Sequence, residues 1–335
     1  MARPSDELAI AWSSLAGSAD VAEGWRSAQI SRHGAPMLHA GRRYPGGAEA
    51  LLARFGSAAL PAATKLPEGS GFRIERANPR GDGVAWLALT RKPDASLELF
   101  SAMARDIADA LDACPAADEP RGLATLLGRV RAWQEFMRKG TAPLGAEAEI
   151  GLFGELVALR AIIEAGIDAT AACEAWGGPL NGLRDFEIGT GGIEVKSTLS
   201  SGGFPARVGK LEQLDDAARQ PLFVAGLRLR QTERGTSLPE AVEKIRDNVM
   251  GEQQAERLLA ERVIAAGYFD DHASQYTRRF ELAEARVLRV AEGFPRMTPW
   301  SVPPGVTRAS YDIDLDMAPG ESVSFAEALK ELKAL

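Results

Sequence analysis

The stretch LRDFEIGTGGIEVKST at residues 183–198 constrains the fold more than any other part of the chain. Two short runs of alternating apolar and polar residues flank a glycine-rich segment at 189–192, a pattern that predicts a strand, a tight turn and a second strand. Successive side chains of a strand point to opposite faces. Asp185 and Glu187 therefore share one face of the first strand, with Phe186 and Ile188 opposite, while Glu194 and Lys196 share one face of the second, with Ile193 and Val195 opposite. If the hairpin forms, Asp185, Glu194 and Lys196 converge on one polar patch backed by an apolar layer. The GTGG sequence at 189–192 lacks the lysine and the helix that a P-loop needs, so it reads as a hairpin turn and not as a phosphate cradle.

A helix is expected just before this hairpin. In AEAEIGLFGELVALRAIIEA (146–165), Ile150, Phe153, Val157 and Ile162 recur at helical spacing, Glu155 falls midway, and Gly166 stands where a C-cap belongs. The loop with Gly140 and Pro143 marks a domain boundary, giving an N-terminal domain at 1–140 and a second domain at 141–335. The first hundred residues are β-like, with runs such as GWRSAQI, APMLHAG, GFRIERA and VAWLALT between Gly, Pro, Asp and Asn punctuation. Two helices follow, one from Leu97 and one over about Leu123 to Met137. Beyond the hairpin, residues 207–218 are expected to start a helix and 221–230 to form a strand. Residues 238–266 are expected to be helical, and 278–315 to form a C-terminal β extension. The fold class expected is α/β or α+β.

Residue types limit the function classes. Hydrophobic residues at 45% and charged residues at 25% describe an ordinary globular chain. Apolar runs such as VAWLAL at 84–89 are too short to cross a bilayer, and MARPSDELAIAW shows no h-region of a secretory signal. Cys114 and Cys173 form no CxxC pair and have no histidine ligand set nearby, which fits reduced thiols in a cytoplasmic protein. His33, His39 and His272 are scattered, so a zinc site or a Ser-His triad has little support. The net charge of −7 argues against a broad phosphate-binding surface. Arg278, Arg279, Arg286, Arg289 and Arg296, interrupted by Glu281, Glu284 and Glu292, make the best candidate for a phosphate-facing strip, with Arg278 and Arg279 as DNA contacts; the alternative is a solvated strand face.

The polar patch suits metal-assisted phosphodiester hydrolysis. Asp185 and Glu194 would supply hard oxygen ligands to Mg²⁺ or Mn²⁺, which acidifies water and neutralises charge on the phosphoryl oxygens. Lys196 beside them would stabilise transition-state charge. An Asp followed by Glu-x-Lys also arises by chance, and a solvent-facing Glu–Lys pair on an edge strand is the competing reading.

Taken in order, GLFGEL (151–156), RDF (184–186), EVKST (194–198) and LEQL (211–214), with Trp133–Phe136 and the late FPR at 294–296, resemble a bacterial family of PD-(D/E)XK motif proteins, relatives of restriction endonucleases. The resemblance runs over most of the chain. It implies a restriction-endonuclease-like core, in which helices flank a mixed central sheet, behind a β-rich N-terminal domain. It implies Asp185 and Glu194 as metal-binding acids, Lys196 as the catalytic lysine, Glu155 as a further metal ligand from the first core helix, and Gln213 as an auxiliary residue. It implies DNA as substrate, a restriction or phage-defence setting, other subunits of such a system as partners, and room for a homodimer. A catalytically silent DNA-binding or scaffolding subunit is the alternative. Two departures stand out: Arg184 replaces the motif's proline, and no tyrosine follows Gln213 at helical spacing.

The neighbouring residues carry bland readings beside functional ones. Glu155 reads as a ligand or as a structural ion-pair partner of an arginine. Ser197 and Thr198 read as satisfying backbone groups or contacting phosphate, and Trp176 as a core anchor or a base-stacking platform.

Overall fold

A computed structural model describes residues 7–16, 23–56, 65–69, 71–81, 83–139, 142–217 and 219–335. Residues 1–6 and Gly140, on which the readings of the leader and of the inter-domain loop partly rest, lie outside the described residues. The chain divides into two compact units, Met1–Lys139 and Gly140–Leu335. Helices and several sheets together make a mixed α/β protein.

In the first unit α1 (Glu7–Ser14) precedes β1 (Gly24–Gln29), β2 (Leu38–Tyr44), β3 (Ala48–Arg54), β4 (Phe72–Ala77) and β5 (Trp86–Arg91), followed by α2 (Leu97–Asp112) and α3 (Glu119–Lys139). The strands form one antiparallel sheet in the order β1-β2-β3-β5-β4. The strand β3, AEALLAR, is built from helix-forming residues and is not legible from propensity. Ala50, Leu51, Leu52 and Ala53 are all buried in the middle of the sheet, and that burial overrides local preference. The helix α2 buries Phe100, Met103, Ala104, Ile107 and Leu111, and Ser96 caps it by accepting from the Leu99 N–H.

The second unit begins with α4 (Ala146–Glu164) and α5 (Ala169–Ala175). After a 3₁₀ turn at Gly178–Leu180 come β6 (Phe186–Ile188), β7 (Gly191–Thr198) and β8 (Pro205–Val208), then a second 3₁₀ turn at Leu211–Leu214. The chain continues through β9 (Leu222–Ser237), α6 (Leu238–Asn248), α7 (Gln253–Ala266), β10 (Arg279–Arg289), β11 (Tyr311–Asp314) and α8 (Phe325–Glu331). The main sheet has the order β10-β9-β7-β6, with β7 parallel to β9 and the other pairs antiparallel. A separate ribbon pairs β8 with β11. The helix expected to start within 207–218 is absent among the described residues; there the chain forms the end of β8 and the 3₁₀ turn, because Ala206 and Val208 alternate inward against Phe204, Leu214 and Ile313. The helical stretch 238–266 is two helices, broken near Gly251, whose φ of +91° an L side chain resists.

The helix α4 is apolar nearly all round and is buried accordingly, with Leu152, Phe153, Leu156, Ala158, Leu159 and Ile162 in the core beside Ile193 and Val195 of β7. The approach of helix and strand is set at Gly154. A Cβ there would lie 1.8 Å from Ser197 Oγ, so only glycine lets α4 seat on β7 at this depth. Ser197 Oγ is buried with no hydrogen-bond partner. Gly154→Ala is expected to destabilise the protein by about 1–3 kcal/mol through overpacking. Ser197→Ala alone should be near neutral, and the double variant should recover most of the loss. Chemical denaturation of all four proteins measures the coupling; strictly additive losses would show that this contact does not set the helix–strand distance.

Candidate active site

The register of the β6–β7 hairpin assembles the acidic residues. Phe186 lies opposite Ile193, so continuing the antiparallel pairing by one residue sets Asp185 beside Glu194. The Val195 N–H closes the corner by donating to Asp185 Oδ2 at 2.7 Å. The strand β7 is interior, between β6 and β9; the edge-strand reading of Glu194 and Lys196 therefore fails.

Glu194 is 1% exposed. Its Oε1 accepts from Lys196 Nζ at 2.8 Å and from Gln213 Nε2 at 2.7 Å. Its Oε2 is buried with no hydrogen-bond partner. A buried carboxylate with one oxygen doubly bonded and the other bare is costly unless a further positive group faces it. Gln213 is fixed in turn, its Oε1 accepting from the Gly209 N–H at 2.7 Å. It reaches the site from a 3₁₀ turn, not from the helix expected there.

Glu155 arrives from α4. The indole Nε1 of Trp176 donates to Glu155 Oε2 at 2.6 Å, and the same buried ring stacks on Phe186, with centroids 6.4 Å apart. Trp176 is thus a core anchor that also orients a carboxylate, a role the sequence signalled only as a large aromatic within a glycine-rich loop. The N–H groups of Gly177 and Gly178 donate to the Asp185 carbonyl at 2.9 and 3.1 Å. A Cβ at Gly178 would lie 2.7 Å from Asp185 Oδ1 and 3.0 Å from Glu155 Oε2, so two carboxylates crowd the same point over a bare glycine.

Arg184, in place of the motif's proline, does what sequence reasoning missed. It is buried and donates to the carbonyls of Glu212, at 2.5 Å, and of Asp215. This side chain ties the residue next to Asp185 to the turn that carries Gln213. The signal in the sequence was an arginine directly before a motif acid, where the motif has proline.

The charges are strongly coupled. Burial raises the Asp185 carboxyl well above the ordinary carboxylate value, and Glu194 and Glu155 add to the rise while Lys196 and the Val195 N–H oppose it. Burial pulls the Lys196 ammonium down, but Glu194, Asp185 and Glu155 outweigh that and hold it above its usual value. The cluster therefore carries more acid than base. Among the described residues no three His, Cys, Asp or Glu side chains are already gathered as a metal shell. The donor set still fits a divalent ion of the Mg²⁺ type, which takes one or two carboxylates and completes its shell with water and substrate phosphate. The bare Glu194 Oε2 and the carboxylates crowding Gly178 are the observations in favour.

The other candidates lie elsewhere. Thr198 Oγ1 accepts from the Ser200 N–H, a local backbone role. Arg278 is bound to Glu149 and Arg279 to Glu240, while Arg286, Arg289 and Arg296 pair with Glu284, Glu331 and Asp216. Each arginine of the expected phosphate-facing strip thus has a carboxylate partner within the fold. His39 sits between Ser27 Oγ and Arg80, and the His272 ring packs edge-on against Phe269. Cys114 and Cys173 are free and buried, and burial pushes the Cys173 thiol up to about 12, far from a nucleophile.

An Asp beside a Glu-x-Lys on the neighbouring strand is the arrangement for which PD-(D/E)XK proteins are named, with Arg184 here in place of the proline. The chain belongs to that class through the family described as "Putative PD-(D/E)XK family member" (DUF4420), which matches residues 8–316. Nucleases of this class generally use divalent metals. No curated protein and no solved structure matches the chain. No helix among the described residues is long and apolar enough to cross a membrane.

Because the Asp185 carboxyl is raised in the native state, the stability it contributes is complete below the ordinary carboxylate range and is lost as pH rises through the raised value. Metal-free protein should accordingly melt at lower temperature as pH climbs toward neutral. Asp185→Asn should flatten that slope and raise the neutral-pH melting temperature, and added Mg²⁺ or Mn²⁺ should stabilise the parent but not the variant. Thermal melts in chelator and in metal read all three effects; a parent curve indifferent to both pH and metal would contradict the acidic cluster.

Proposed function

We propose that residues 140–335 form a restriction-endonuclease-like core that hydrolyses phosphodiester bonds in DNA with a divalent ion, Mg²⁺ or Mn²⁺. Asp185 and Glu194 would hold the ion, Glu155 would complete its shell directly or through water, and Lys196 would act on the reacting phosphate. The observation that carries this reading is the buried Glu194 carboxylate, bonded through one oxygen to Lys196 and Gln213 and bare at the other.

When bound, the ion supplies Lewis acidity and lowers the pKa of water. The protein's part is positional. Lys196, held charged by the acids around it, can offer an N–H to a phosphoryl oxygen where negative charge builds up. Gln213 keeps Glu194 from swinging toward solvent. Trp176 and the Gly177–Gly178 backbone fix Glu155 and Asp185 in advance, so little reorganisation is needed when substrate arrives.

Membership of this family supports a place in a restriction or phage-defence system, with further subunits as partners and a homodimer as one possible assembly. The net charge of −7 and the paired arginines favour recruitment to DNA through such partners, and they also keep open the reading of a silent scaffolding subunit.

Lys196→Ala should reduce plasmid cleavage in Mg²⁺ by about 100-fold or more while DNA affinity stays near the parent's, since the lysine acts on transition-state charge. Asp185→Asn should likewise abolish cleavage. The deciding comparison is phage challenge of cells carrying the surrounding gene cluster, with Lys196→Ala as the single change. Full protection by that variant would establish the scaffold reading.

A further inference from the structure

The helix α4 is apolar nearly all round, yet one stripe of it is left unsealed by the rest of the fold. Phe153, Val157 and Ala161, at helical spacing, line a groove of about 510 Å³ together with Ile245 of α6 and Phe280 and Leu282 of β10. Phe153, Ile245 and Phe280 are buried, Val157 and Ala161 are half-buried, and Leu282 is 46% exposed, so apolar area runs from the core out to the surface. Clefts of this kind, about 300–1,000 Å³, are the size that takes small molecules. Glu155 lies about half a turn round the helix from Phe153 and Val157, so the groove and the candidate active site occupy opposite faces of α4.

The lip of the groove is built by an irregularity in the sheet. Along β10, Phe280 pairs with Gln231 but Arg279 pairs with Ser237, so residues 232–236 of β9 step out of the ladder. Gly235 permits the close approach this needs, since a Cβ there would lie 2.6 Å from the Phe280 backbone nitrogen. Arg279 Nε holds the excursion by donating to the Gly235 carbonyl at 2.8 Å. Bulges of this sort re-aim side chains. Here Arg234 and Thr236, on either side of Gly235, both line the groove, and Lys244 of α6 donates to Thr236 Oγ1 at 2.8 Å. A guanidinium, an ammonium and a hydroxyl thereby share one edge of an apolar trough.

The acids of the groove are already engaged. Of those that line it, Glu164 is bound to Arg160 at 3.0 Å and Glu281 to Arg230 at 3.1 Å. Glu240 and Glu243, on α6 with Lys244, are bound to Arg279 and Arg246. Glu233 precedes Arg234 but lines a different hollow, beside Thr277 and Arg278. Arg234 and Lys244 have no carboxylate partner at ion-pair distance among the described residues, and they act on Glu281 and Glu240 only through longer-range charge. An apolar trough edged by two unpaired cations is complementary to a molecule with an apolar body and an anionic head.

We propose that this groove binds a small amphipathic anion, its apolar body lying against Val157, Ala161 and Leu282 and its carboxylate or phosphate meeting Arg234, Thr236 and Lys244. The site is separate from the acidic cluster and does not depend on the nuclease reading.

Binding is measured on the whole chain with two fluorescent probes, the aromatic anion anilinonaphthalene sulfonate and its uncharged relative phenylnaphthylamine. The parent should bind both. Ala161→Trp, which fills the trough, should weaken both about tenfold or more. Arg234→Gln combined with Lys244→Gln, at exposed positions, should weaken the anion about tenfold and leave the uncharged probe unchanged. Decanoate or a nucleoside monophosphate should displace the anion from the parent, and the one that does so tells a carboxylate head from a phosphate. Thermal melts check that each variant folds. Should Ala161→Trp fail to fold, Leu282→Glu, at a position already largely in water, sets an acid in the trough and should weaken the anion in its place. A parent that binds no anionic probe would overturn the proposal. So would anion binding that ignores the double charge variant, or an equal loss of both probes in it. Displacement by neither competitor would mark the dye as an adventitious additive only, with the same consequence. Sedimentation showing a parent dimer that Ala161→Trp or Leu282→Glu dissolves would assign the groove to a second copy of the chain instead.

Discussion

Burying the Glu194 carboxylate in the middle of β7 is the demand to which the second unit answers. A carboxylate that is 1% exposed has lost its hydration, and removing one partner from a buried ion pair typically costs about 3–5 kcal/mol. Lys196, two residues along on the same face, and Gln213, from a distant turn, both bond to one of its oxygens. The second oxygen has no partner. An apolar residue there would in turn leave the Lys196 ammonium and the Gln213 amide without their shared acceptor, so the three side chains stand or fall together.

The surroundings follow from this. To hold Gln213 against Glu194, the turn at Leu211–Leu214 must be anchored, and Arg184 does so through two backbone carbonyls while Arg296 takes a third. To bring Glu155 within range of Asp185, α4 must sit deep on β7, which Gly154 permits by leaving room for Ser197. The absence of a side chain at Gly178 lets the carboxylates of Asp185 and Glu155 approach one point, and the Trp176 indole holds one of them there. Each support comes from a different element, so the acidic patch is a product of packing between α4, the hairpin and the turn at 211–214.

Several parts were legible because their cause is local. The helix α4 announces itself by apolar spacing and a glycine at its end, and the hairpin by alternation around a Gly-Thr-Gly-Gly turn. The pairing of Asp185 with Glu194 and Lys196 follows from the two-residue period of strands once the turn is placed. The strand β3 was not legible, because Ala, Glu and Leu favour helices in isolation and only burial between β2 and β5 makes AEALLAR extended. Residues 207–218 misled for the opposite reason. Their composition suits a helix, while the pairing of β8 with β11, about a hundred residues later, decides otherwise. The carboxylate partners of the arginines of 278–296 were not legible, because a sequence shows charge without showing its partner; Glu149, for one, is 129 residues away from Arg278.

The sequence by itself determined which residue types are available: an acid on one arm of a hairpin, an acid and a lysine on one face of the other, a glutamate on the preceding helix, a glutamine after them, and a family that spans residues 8–316. Those assignments rest on short-range periodicity and on motif order, which survive without coordinates. Only the tertiary structure decided which side chains are committed elsewhere and which are left exposed or unsatisfied. It paired the five arginines with carboxylates, made a buried arginine into the clasp of the Gln213 turn, and turned Trp176 inward onto Glu155. Those outcomes depend on contacts between segments far apart in the chain, and a partner's position is information that no single stretch of sequence contains.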